Sequence, residues 1–165
     1  MTTLDPLPEA LVHLFLRVDA AQPTDPVLRA AWSFWQKRRE GVVMPAPDAM
    51  DDLPAFIRPH AFRAHLATNG SDHWIVAEAG TSAQLLLGLA DKAAAESPDK
   101  RMAVRLRRLF DLVSEKEEPY SVMFELEDKS AHRLLVEILA APLARAEKRE
   151  HLIFAVINSR REERR

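Results

Sequence analysis

The chain has 165 residues, 47% of them hydrophobic, with 23 basic and 25 acidic side chains for a net charge of -2. That length and apolar content suit one domain with a real core, and the balanced charge offers no global field for nucleic acid or an anionic membrane. The absence of cysteine excludes disulfides, thiolate nucleophiles, iron–sulfur clusters and cysteine-ligated zinc.

Met1-Thr2-Thr3-Leu4-Asp5-Pro6 lacks the basic start and apolar centre of a secretion signal. No window approaches the roughly 20 apolar residues that span a bilayer. A soluble, cytoplasmic protein is expected. Pro6-Leu7-Pro8-Glu9 reads as a helix start, with Leu7, Leu11, Leu14, Phe15 and Val18 forming an apolar stripe that either offers a homodimer or partner surface or folds back over the sheet.

Gln22-Pro23-Thr24-Asp25-Pro26 interrupts that helix, and Thr24 or Asp25 is available to cap the next one. There Leu28, Ala31, Trp32 and Trp35 share a face, so two large rings must pack on something apolar. Gly41 ends the helix, and the prolines from Pro45 to Pro59 impose an extended path with one helical turn around Asp52 to Phe56.

The period then changes from helical to alternating. His60 to Leu66 and His73 to Ala79, joined by Asn69-Gly70-Ser71-Asp72, read as an antiparallel hairpin. Gly80 to Ala95 is helical with a break at Gly88. Lys100 to about Glu117 is a stronger helix with an apolar face of Met102, Leu106, Leu109, Phe110 and Val113. Three strands follow: Tyr120 to Glu127, His132 to Leu139, and Leu152 to Ile157, the last apolar on both faces as in a covered central strand. The sum is an α+β fold, a five-stranded antiparallel sheet with helices over one face in two layers.

A β-β-α-α-β-β-β order of this length resembles the PAS sensory domain. Trp32-xx-Trp35-xx-Arg38-Arg39-x-Gly41, then Met44-Pro45, Asp48 and Leu53-Pro54 before the first strand, resembles the opening of the bacterial PAS-like family known mainly from alphaproteobacteria. The likeness runs from Val27 to Asn158, so residues 1–26 are an N-terminal helical extension, 27–158 the PAS-like domain and 159–165 a charged tail. The Leu85 to Asp91 stretch is more apolar than the family's version, and Trp74 to Ala79 lacks the arginine common in its corresponding strand. The resemblance implies a sensory or interaction module in signal transduction without enzymatic activity. It would bind a small molecule or a partner protein and pass a packing change from the sheet to the N-terminal helices.

Other chemistry finds less support in the residues. His60 and His65 are five apart on opposite sides of a strand, and the remaining histidines have no partner at ligand spacing, so no metal is expected. Gly80-Thr81-Ser82 opens a helix without an identifiable base or a phosphate-loop lysine. Asp48, Asp51 and Asp52 sit where carboxylates cap turns. Arg101, Arg105 and Arg108 share a helix face offset by Glu115, Glu117 and Glu118. Trp32, Trp35 and the set Phe62, Trp74, Tyr120 and Phe124 either line a pocket between sheet and helices or fill the core, and the last four are the candidate ligand-binding residues. No cofactor is expected. The alternatives are a small α+β enzyme or accessory subunit, and a structural oligomerisation protein with a filled core.

Overall fold

The computed structural model describes residues 14–20, 22–39, 44–66, 74–88, 100–127, 133–144 and 151–161. Asp25 starts the first of the described helices. Its Oδ1 accepts the Val27 and Leu28 amides at 2.9 and 3.1 Å, and Pro26 takes the first helical position, where no amide is needed. This helix, α1 (Pro26–Arg38), buries Leu28, Ala31 and Trp35 on one face. Two 3-10 turns, Pro47–Met50 and Arg58–His60, flank the place where one helical turn was expected. Each has a proline in its first two positions, where the fixed φ favours helical entry.

β2 (Ala61–Leu66) and β3 (Trp74–Ala77) form the expected antiparallel hairpin. α2 (Thr81–Leu87) stops at Gly88, whose φ of 76° lies in the left-handed region. α3 (Lys100–Lys116) buries the Met102, Leu106, Leu109, Phe110 and Val113 stripe. β4 (Tyr120–Glu127), β5 (Arg133–Leu143) and β6 (Leu152–Arg161) follow. The last two run beyond the expected strand ends.

With β1 (Arg17–Asp19) preceding α1, the strands lie in the order β1-β4-β5-β6-β2-β3, each neighbour antiparallel. Among the described residues the sheet therefore has six strands, not five. The addition is β1 (Arg17–Asp19), in a segment expected to be helical. Val18 pairs with Val122, and the Leu16 amide donates to the Met123 carbonyl at 2.7 Å, so β1 occupies the edge that β4 would otherwise present. Leu14, Phe15 and Val18 fit a helical spacing as well as they fit this path, which is why periodicity misassigned them.

Two cores flank the sheet, where a single covered face was expected. On the inner side α2 and α3 pack over Phe62, Ala64, Trp74, Val76, Val122, Phe124, Val136, Ile138, Ile153 and Ile157. On the outer side α1 and the proline-rich strap 44–60 pack over Ala61, Leu139, Ala141, Leu143, Phe154 and Val156. Three layers follow because β5 and β6 are apolar on both faces and each face needs cover. Trp35 is fully buried in the outer core, and its Nε1 donates to the Pro142 carbonyl at 3.0 Å.

One polar cluster holds α1 in place. Glu137 of β5, only 6% exposed, accepts from Thr24 N and Thr24 Oγ1, both at 3.0 Å, and from Asp25 N at 2.9 Å. Asn158, directly opposite Glu137 on β6, donates through Nδ2 to Asp25 Oδ2 at 3.0 Å.

Candidate functional site

Where β2 begins and β3 ends, the strap and the sheet leave an open cleft of about 270 Å³. Its apolar lining comes from Met50, Leu53, Ala61, Phe62, Ala79 and Phe154, all buried. Its charged lining comes from Asp51, Arg58, Arg63 and Glu78. A small apolar hollow with a few charged groups is the usual composition of a small-molecule site.

The polar groups are held, not loose. Arg63, on β2, donates through Nη2 to Asp51 Oδ1 at 2.6 Å, and its Nε lies 3.3 Å from Glu78 Oε2. Arg58 donates through Nε to the Leu53 carbonyl at 2.8 Å. Glu78 has φ of 53°, a left-handed conformation that a side chain adopts at a cost of about 1 kcal/mol. That kink turns the chain from β3 toward α2.

Gly80 closes the wall by close approach. A β-carbon there would lie 2.2 Å from the Arg58 carbonyl oxygen and 2.6 Å from that of Pro59. Its own amide donates to the Ala61 carbonyl at 2.9 Å. The missing side chain is what lets the α2 start sit against the strap.

The cleft shares its lining with the outer core. Met50 and Leu53 pack in the same cluster as Leu28, Ala31 and Trp35 of α1. Two consecutive carboxylates tie the strap in both directions: Asp51 to Arg63 on β2, and Asp52 to Arg38 on α1 through Arg38 Nη2 at 2.7 Å. Each pair is solvent-exposed and contributes at most about 1 kcal/mol.

No protein-family model matches the chain. No curated protein matches it either. Among solved structures the chain is similar to an RNA-binding light-oxygen-voltage receptor, at 16% identity and a TM-score of 0.41. The match covers 61% of this chain and 29% of that receptor chain.

The four candidate ligand residues all lie on the inner side of the sheet. Phe62, Trp74 and Phe124 are buried and Tyr120 is half-buried. Phe110 of α3 packs against two of them, 6.2 Å from the Phe62 ring and 5.3 Å from Trp74. Phe15 and the Arg105 guanidinium cover Phe124, at 6.1 and 4.5 Å. Of the four, Phe62 also lines the cleft. Trp35 is on the opposite side of the sheet, so the expected aromatic set is divided between two cores.

The expected partner stripe is divided as well. Leu7 and Leu11 lie outside the described residues. Phe15 is buried in the inner core, and Leu14 and Val18 pack against that core, so these three face their own chain. Arg105 departs from its expected exposed face in the same way, donating from Nε to the Leu14 carbonyl at 3.2 Å. Among the described residues no helix is long and apolar enough to cross a membrane, and no three His, Asp or Glu converge as metal ligands.

Sequence reasoning missed Arg58, Arg63 and Glu78, and took Asp51 only as a turn carboxylate. They are brought together by tertiary contact, and the one local signal was the glycine after Ala79. A second juxtaposition also went unseen: Ser114 Oγ lies 3.1 Å from His151 Nδ1. Ser114 sits in the last turn of α3, where free carbonyls create a negative potential. A tetrahedral oxyanion needs donors and positive potential, so this pair is poorly placed for acyl transfer.

Proposed function

We propose that the chain is a non-enzymatic, PAS-like sensory or interaction module of bacterial signalling. It binds a small molecule in the Gly80 cleft and presents the resulting change in α1 to a partner protein or a second copy. The observation that carries this reading is the shared lining: Met50 and Leu53 border the cleft and also support Trp35. A ligand against those two residues alters the surface on which α1 rests, and the Asp52–Arg38 pair gives the strap a second hold on that helix. Packed interiors respond to such displacement by discrete repacking rather than by smooth deformation. The tryptophan-to-proline opening, which resembles the PAS-like family, supports the same class.

Nuclear magnetic resonance on the 15N-labelled chain with a fragment library tests this. Fragments that shift the Ala61 and Gly80 amides are expected to shift the Trp35 indole N–H, which is bonded to Pro142. The Trp74 indole, bonded to Asp111 Oδ1 on the inner side at 2.9 Å, is expected to stay in place. A library with no cleft binder, or binders that leave Trp35 and α1 unmoved, would count against the proposal.

A further inference from the structure

We infer that the cleft takes a small monocarboxylate with a compact apolar body, and that Arg58 is the group that recognises its carboxylate. The inference rests on the cleft being the ligand site proposed above and adds the ligand's chemistry.

The charges decide it. Two guanidinium groups and two carboxylates line the cleft. Both carboxylates are engaged by one of the cations, since Arg63 holds Asp51 through Nη2 and Glu78 through Nε. Arg58 is different. Its Nε is anchored on the Leu53 carbonyl, and its two terminal nitrogens have no partner among the described residues. A guanidinium fixed through one nitrogen, with the other two unpaired, presents a parallel fork that matches the two oxygens of a carboxylate.

The remaining lining sets the rest of the ligand. With the four charges balanced, one added negative charge is tolerated. A dianion such as a phosphate monoester would carry its second charge toward Asp51 and Glu78, where no further free cation lines the cleft among the described residues. Met50, Phe62 and Phe154 are each 1% exposed and offer an apolar floor. The cleft, about 270 Å³ and open to solvent, is on the small side for a small-molecule site and favours a compact ligand body. A short aliphatic or single-ring acid has that size.

Three near-isosteric probes separate the possibilities: phenylacetate, neutral phenylacetamide and cationic 2-phenylethylamine, each titrated into the labelled 165-residue chain. Phenylacetate is expected to shift the Ala61, Ala79 and Gly80 amides and to bind about tenfold tighter than the amide, the ratio that about 1.4 kcal/mol for one charged pair provides. Raising the salt concentration should weaken the acid and leave the amide unchanged. Arg58→Gln should bring the acid down to the amide's affinity, while Arg58→Lys, which keeps the charge but loses the fork, should retain a reduced preference for the acid. Equal affinity for all three probes, preference for the amine, or an Arg58→Gln variant that binds the acid as the parent does would overturn the carboxylate assignment while leaving a small-molecule site standing. If none of the probes or library fragments shifts the cleft amides, the reading of the cleft as a ligand site falls with it.

Discussion

Glu137 is a carboxylate withdrawn from water and compensated by three donors, two backbone amides and one hydroxyl, all at the start of α1. Truncating it removes a charged acceptor shared by three donors, while Thr24 is exposed and Asp25 half-buried so that water can replace part of the loss, and Glu137→Ala should cost about 2 kcal/mol of stability in urea denaturation. Glu137→Gln keeps the shape but turns one acceptor into a donor aimed at Thr24, and about half that loss is expected. Gly80 offers a purely steric counterpart. Its φ of -67° is available to any residue, yet a β-carbon meets two backbone carbonyls that have no flexible end to move aside. Gly80→Ala should therefore cost about 3 kcal/mol or more. Gly88→Ala, where the penalty is the left-handed backbone instead, should cost about 1 kcal/mol on the same assay.

Among the elements, α1 depends on one residue more than any other. Trp35 is fully exposed to neither solvent nor ligand; it lies wholly within the outer core, with its indole N–H on Pro142. Trp35→Ala should cost about 4 kcal/mol through the void it leaves, and Trp35→Phe about 1 kcal/mol through the unpaired carbonyl, both readable from chemical denaturation. Helix α3 and the strands from β2 to β6 were legible in the sequence because their apolar residues recur at one clear period. The β1 segment was not, since Leu14, Phe15 and Val18 fall at helical spacing and only Val18 lies within the three-residue strand, too short to show an alternation of its own. Nor was the cleft, because Arg58, Arg63 and Glu78 meet only after the strap has folded back on the hairpin. Periodicity reports which face is buried and is silent on which distant residues share a hollow.

At the scale of the whole molecule, the three layers are joined through the middle one. β5 and β6 send alternate residues into both cores, so neither outer layer loses its support without disturbing the strands that support the other. Unfolding should accordingly be a single transition. In a thermal series the indole resonances of Trp35, in the outer core, and Trp74, in the inner, should disappear with the same midpoint, and an earlier loss of Trp35 would show that α1 separates on its own. The sequence hinted at this arrangement through the two-sided apolar character of the last strand, but it carried no sign of which helix covers which face. That choice rests on the contact between the start of α1 and Glu137.

The same contact has a consequence for how the strands find one another. Along the buried stretches of β5 and β6, from Ile138 to Leu143 and from Ile153 to Ile157, both faces are apolar. Sliding one strand by a residue would exchange one greasy face for another, so hydrophobicity sets their alignment only weakly. Glu137 and Asn158 remove the ambiguity, because they reach Thr24 and Asp25 together only when they stand opposite each other. Thr24 lies 113 positions before Glu137 in the chain. The registry of β5 against β6 is thus marked by residues more than a hundred positions away in the chain, where α1 begins.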